Sequence, residues 1–143
     1  MRLSWLLFAI LSAVCAALVG IFGKVGLQNI DSNTATAVRA IIMALFLLVV
    51  VAIEGNLHKI PTIISDKKNF LFIVLSGIAG ATSWLFYFLA LKTGKVTQVA
   101  PIDKLSVVLA AVIAIIFLGE KISFLNGVGI GLITVGVILA ALH

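Results

Sequence analysis

Charged residues are scarce in this chain. Only 10% of its 143 residues are charged, and hydrophobic residues reach 63%. Soluble domains are about a quarter charged and about half apolar. A water-soluble fold of this length could not cover so much apolar surface, so the composition predicts that the lipid bilayer is the solvent.

The motifs of common enzymes and metal proteins are also missing. The one cysteine, Cys15, excludes an internal disulfide framework. The sequence has no glycine-rich phosphate loop, His-Glu zinc motif, Gly-x-Ser-x-Gly elbow or Cys-x-x-Cys pair. His58 and His143 are too far apart in sequence to indicate a metal site. We therefore expect no enzyme activity, no cofactor and no metal.

The net charge of +5 does not indicate a nucleic-acid binder. Such a protein would carry a basic stripe interleaved with aromatic residues on a polar face, and the sequence shows none. The lysines gather between apolar runs instead, where they would meet anionic lipid headgroups. We expect membrane partners rather than nucleic acid.

Five apolar runs of about 20 residues dominate the chain, and a helix of that length is about 30 Å long, enough to cross the hydrocarbon core. Their predicted bounds are 3–22, 34–53, 70–91, 99–118 and 122–142. The second run follows Asp31, which is expected to cap its start. The fold class predicted is an all-α integral membrane protein, with one five-helix domain over residues 1–143.

Ionisable side chains inside these runs mark candidate functional positions, because they are costly in lipid unless they face a polar interior. They are Arg39 in the second run and Asp103 with Lys104 in the fourth. Neighbouring side chains project about 100° apart on a helix, so Asp103 is predicted to pair with Arg39 or Lys24 rather than with Lys104. The surplus of cations indicates a site for an anionic or zwitterionic group.

Each of these charges also has a simpler interpretation. Asp103 would be favoured at a helix start by the dipole. Arg39 and Lys104 could extend to the headgroups, and Lys24 could be an ordinary flanking residue. Both interpretations stay open from the sequence.

Three further candidates lie in the middle of the third run. Ser83, Trp84 and Tyr87 are spaced by three and four residues, so they are predicted to share one helix face. They are too central for the aromatic belt that marks membrane interfaces. They either line a pathway or form hydrogen bonds within the bundle.

Lysine and arginine residues are balanced between the two membrane faces that five crossings define. Five fall on the side of the N-terminus and five in the opposite half; without Arg39 and Lys104, which lie within helices, the tally is five against three and mildly favours the N-terminus inside. Orientation normally follows an excess of these residues on the cytoplasmic side. The balance is compatible with insertion in both orientations.

Several segments together resemble the EamA-type domain of the drug/metabolite transporter superfamily, and the likeness covers essentially the whole chain. They are residues 99–108 (VAPIDKLSVV), 117–123 (FLGEKIS), 23–27 (GKVGL) and 30–33 (IDSN) running on to Arg39. Larger members of that superfamily contain two such five-helix units, inverted relative to each other. The resemblance implies that this shorter chain is one inverted-repeat unit of a ten-helix transporter.

From the resemblance we expect a secondary transporter subunit of the inner membrane. It would move a small metabolite or drug by alternating access as a homodimer, which the charge balance suggests is antiparallel. The alternative is a non-transporting membrane subunit that stabilises a larger partner. The candidate pathway residues are Lys24, Arg39, Ser83, Trp84, Tyr87, Asp103, Lys104 and Ser106.

Overall fold

The computed structural model describes residues 4–142, which form helices joined by short links. The helices are α1 (Ser4–Gly26), α2 (Ser32–Ile53), α3 (Ile60–Ser65), α4 (Lys67–Thr93), α5 (Val96–Asp103), α6 (Leu105–Leu118) and α7 (Phe124–Ala141). A single 3-10 turn, Leu57–Lys59, precedes α3. The predicted start of the first span at Leu3, the charge of Arg2 and the position of His143 lie outside the described residues.

Five segments are long and apolar enough to cross a membrane: α1, α2, α4, the α5–α6 pair and α7. In the most apolar 18-residue stretch of each segment, at most 6% of the residues are buried within the chain. Side chains such as Phe8, Phe46 and Phe117 are 67% exposed or more. This exposure is destabilising in water and ordinary in lipid, where helices are held by close packing rather than by the hydrophobic effect. The predicted all-α fold with five membrane-spanning segments is confirmed.

The helices fall into two compact units. The first unit comprises residues up to Lys24 and from Thr93 onward, and in it α7 packs against both α5 and α6. The second unit is Val25–Lys92, with α2, α3 and α4. The prediction of a single domain over the whole chain stays a prediction.

The fourth span is divided, whereas the sequence predicted one continuous helix. Pro101 lies inside α5, which ends at Asp103 and has Lys104 as its C-cap residue. A proline removes a backbone donor and crowds the preceding turn, which is a common cause of helix breaks. The amide of Lys104 donates to the carbonyl of Pro101, three residues back, and the chain resumes as α6 from Leu105.

Asp31 caps the start of α2, as the sequence predicted. One carboxylate oxygen accepts hydrogen bonds from both the backbone amide and the hydroxyl of Thr34, each at 2.8 Å. These bonds, led by the one from the backbone amide, favour the ionised form and hold the pKa of the Asp31 carboxyl below its ordinary value. Nearby Lys92 lowers the pKa in the same direction.

A pH dependence of folding follows from the lowered pKa of Asp31. The contribution of this cap is fully present above the unfolded pKa, near ~4, and is lost as the pH falls through the lower folded pKa. The Asp31→Asn variant keeps a good capping residue but has no carboxyl to protonate. Below pH ~4 the thermal stability of the wild type in detergent should therefore fall more steeply than that of Asp31→Asn. Parallel curves for the two proteins would assign the acid sensitivity to other carboxylates.

Gly119 ends α6 in the left-handed region, with φ of 65°. A Cβ added there meets no atom within 4 Å, so the cost of a side chain comes from the backbone alone. We expect Gly119→Ala to lower the free energy of unfolding by about 1–2 kcal/mol. Gly129, inside α7 and also open to a Cβ, is the matched control. Gly129→Ala should be neutral or stabilising by up to ~1 kcal/mol. Unfolding of both variants and of the wild type in bicelles measures these differences.

Candidate binding site between α2 and α4

Arg39 of α2 lies against the aromatic side chains of α4. Its guanidinium carbon is 3.7 Å from the centroid of the Trp84 ring and 5.0 Å from that of Phe88. Arg39 is seven residues into α2, or about 10 Å along the helix axis. The structure therefore gives this cation aromatic faces inside the spanning segment, an arrangement worth ~2 kcal/mol or more when the charge is desolvated.

The aromatic cluster contains Trp84, Tyr87 and Phe88. Trp84 meets Tyr87 edge to face, with ring centroids 5.6 Å apart, and Phe88 lies 5.5 Å from Trp84 and 5.9 Å from Tyr87. The predicted shared face of Trp84 and Tyr87 is confirmed. Sequence reasoning missed Phe88, which is only 3% exposed. The signal was available, because Phe88 is four residues after Trp84 and so falls on the same face.

A cavity of about 520 Å³ lies beside this cluster, between α2 and α4. No Cα atoms of the two helices come within 8 Å of each other in the part of the chain that the structure describes. The helices therefore meet through side chains and leave space between their backbones. The lining residues are Asn33, Thr36, Ala37, Arg39, Ala40, Met43, Ala44 and Leu47 from α2, with Gly77, Gly80, Ala81, Trp84 and Leu85 from α4.

The cavity has one polar end and one apolar end. Its polar side chains, Asn33, Thr36 and Arg39, occupy the first turns of α2. The Thr36 hydroxyl donates to the carbonyl of Ser32 at 2.8 Å. Beyond Arg39 the lining contains only apolar residues and glycine. This polarity suits a molecule that is charged at one end and apolar at the other.

Asp103 and Lys104 form an ion pair with each other, 3.2 Å apart, on the surface of the first unit. The expectation that they would not pair was wrong. Lys104 lies between α5 and α6 with a right-handed backbone (φ −69°, ψ −7°), and its long, flexible side chain reaches the neighbouring carboxylate. The Asp103 side chain is 34% exposed and that of Lys104 is 54% exposed. The structure shows no other ion pair within residues 4–142.

Two lysines at helix ends donate to loop carbonyls. Lys24, at the end of α1, donates to the carbonyl of Gly94 at 2.8 Å. Lys92, at the end of α4, donates to the carbonyl of Ile30 at 3.1 Å. Each bond ties a helix end to a loop distant in sequence, which gives Lys24 a structural role besides the pathway role predicted for it.

The two candidate serines are not part of the aromatic cluster. Ser83 of α4 and Ser106 of α6 are both exposed. Neither hydroxyl makes a hydrogen bond within the described range 4–142. Of the eight candidates, the structure brings Arg39, Trp84 and Tyr87 together in the second unit and pairs Asp103 with Lys104 in the first. Their roles in a pathway stay predictions.

Five apolar spans and a cation held inside one of them define a polytopic membrane protein with an internal polar position. Comparison with known proteins places it more narrowly. The EamA-like transporter family matches residues 3–142, and the chain belongs to that family. It is thus a member of a family of membrane transporters, as the sequence resemblance implied.

Two relatives show how far the likeness extends. A Sinorhizobium protein named as an uncharacterized transporter in the cobO 3' region is 42% identical over 141 residues, covering 99% of each chain. An uncharacterized protein of Methanocaldococcus jannaschii is 29% identical over 80 residues, which is 56% of this chain and 58% of that one. No solved structure was found to match the chain.

Proposed function

We propose that this protein is one subunit of a secondary transporter of the inner membrane, which moves a small metabolite or drug by alternating access as an antiparallel homodimer. Membership of the EamA-like family supports transport. The observation that carries the proposal is the Arg39 guanidinium stacked on Trp84 beside a cavity within the spanning region. Cations are rare inside membrane spans and mark substrate or ion pathways.

The small amount of internal packing leaves room for a homodimer. Among the described residues only Leu27, Phe88, Leu91 and Val137 are buried apolar side chains. A second copy would supply further helices against which α2 and α4 could close. The weak bias of lysine and arginine residues, five on the N-terminal face against three on the other when Arg39 and Lys104 inside helices are left out, is compatible with two opposite orientations. Inverted units around a central site are a common architecture for alternating access.

Orientation is tested by single-cysteine labelling in cells. In a Cys15→Ala background, Gln28→Cys reports on the α1–α2 link and Thr62→Cys on the α2–α4 link, and neither change alters the charge. A membrane-impermeant maleimide should label both variants to about half of the yield reached in opened membranes. Labelling of only one of the two would contradict dual insertion and with it the antiparallel dimer.

Transport itself is tested with the purified protein in liposomes. A panel of radiolabelled amino acids, sugars and aromatic carboxylates is offered to vesicles that are preloaded with the same unlabelled solute. Transport by alternating access predicts saturable exchange of at least one solute, faster than in vesicles without protein. A protein that binds solutes in detergent but exchanges none of them would instead fit a non-transporting partner subunit.

A further inference from the structure

The cation in the α2–α4 cavity lies over an aromatic ring and has no carboxylate partner among the described residues. The guanidinium stacks on Trp84 and lies near Phe88, so its ring-facing surface is covered. Within the described residues no carboxylate oxygen lies within 4.0 Å of Arg39. Arginine carries five N–H donors in the plane of the group, and those of Arg39 make no hydrogen bond within residues 4–142. An acceptor that approaches in this plane can receive two parallel hydrogen bonds.

The remainder of the cavity sets the shape of what the cation would hold. From Arg39 to Leu47 the apolar part of the lining runs about 12 Å along α2. Ala40 and Ala44 of α2 and Gly77 and Gly80 of α4 all line it, and these small residues leave open space between the helices. A volume of about 520 Å³ falls within the range of small-ligand sites, ~300–1,000 Å³.

We infer that the α2–α4 cavity binds a carboxylate with an apolar body, whose carboxylate is held by the edge of Arg39 and whose body lies along the alanine and glycine lining. This inference rests on the proposed function and names its substrate class. One carboxylate matches the one cation in the lining, whereas a phosphate dianion would leave a charge uncompensated. A membrane phospholipid fits less well, since each of its two chains spans about 15 Å, half of the hydrocarbon core.

Trp84 provides the signal for a binding test. The chain has two tryptophans, so Trp5→Phe leaves Trp84 as the single tryptophan, whose emission can be excited selectively. The probes are 3-phenylpropionate, its neutral amide and the corresponding primary amine, added to the protein in a neutral maltoside detergent. We expect a saturable change of emission with the carboxylate, affinity at least about tenfold lower for the amide, and no saturation with the amine.

Charge variants test whether Arg39 carries the recognition. Arg39→Gln should weaken 3-phenylpropionate binding by about tenfold or more. Arg39→Lys keeps the charge but not the planar fork, so its affinity should lie between those of the wild type and Arg39→Gln. Lys68→Gln, the same charge change in the exposed first turn of α4, should leave the affinity unchanged. Circular dichroism and elution volume establish that each variant is folded.

The outcomes separate this inference from the proposed function. Equal binding of the amide, or full affinity in a folded Arg39→Gln variant, overturns the inference. It is also overturned if phosphatidylglycerol vesicles displace 3-phenylpropionate at stoichiometric amounts, which would make the cavity a lipid site. Arg39-dependent binding without exchange in liposomes supports the inference and refutes transport. The opposite result is exchange of another solute that is unchanged in Arg39→Gln, without any carboxylate binding. That result supports transport and overturns the inference.

Discussion

Replacement of Trp84 by alanine is expected to destabilise the protein by about 3 kcal/mol, and by about 1–2 kcal/mol less when Arg39 is already methionine. The large ring supports Tyr87 and Phe88 as well as the guanidinium, so its loss removes several contacts at once. In the Arg39→Met background there is no cation at this position, so loss of the Trp84 ring no longer removes a cation–π contact. The difference between the two costs measures the cation–π contact in the membrane.

A double-mutant cycle gives this coupling directly. Unfolding is followed for the wild type, Trp84→Ala, Arg39→Met and the double variant in bicelles under increasing denaturing detergent. Phe86 supplies the control, because it lies on the same helix but is 67% exposed. Phe86→Ala combined with Arg39→Met should be additive within about 0.5 kcal/mol. A Trp84–Arg39 cycle that is also additive would show that the stacking contributes nothing to stability.

The sequence predicts the architecture well because the thickness of the bilayer fixes the length of every apolar run. The spans needed no knowledge of packing, and the cap at Asp31 is a local feature whose partner, Thr34, is three residues away. The pairing of Trp84 with Tyr87 also follows from helical spacing alone. Each of these features is set by residues that are close in sequence.

The parts that could not be predicted depend on departures from regular helix geometry or on distant contacts. Lys104 pairs with Asp103 where α5 ends, and Pro101 is the one feature of the sequence that indicates a helix end there. Lys24 reaches the carbonyl of Gly94 across 70 positions of sequence. Apolar residues surround every side of these helices, so periodicity does not show which face of α2 meets α4.

The cavity between α2 and α4 also could not be predicted from the sequence. Six of its thirteen lining residues are alanine or glycine, several at spacings of three and four residues, such as Ala37, Ala40 and Ala44. Small residues at such spacings usually mean that two helix backbones touch. Here the backbones stay apart and the small residues leave space, a difference that only the structure shows.

Filling this space is expected to abolish ligand binding. Gly80 lines the cavity, and a Cβ added to it meets no atom within 4 Å, so a side chain there can extend into the open volume. Gly80→Phe should place a ring where the apolar body of 3-phenylpropionate would lie. We expect the affinity measured by Trp84 emission to fall by at least about a hundredfold, equivalent to ~2.7 kcal/mol.

Gly80→Ala is the matched control for the same position. The methyl group fits without contact, and alanine favours the helix by up to ~1 kcal/mol over glycine. This variant should keep the affinity within about threefold of the parent, which corresponds to less than ~1 kcal/mol. If Gly80→Phe is folded and binds 3-phenylpropionate as tightly as Gly80→Ala, the ligand does not occupy the cavity. Arg39 would then be a stacked structural cation, and the substrate pathway would have to lie elsewhere in the assembly.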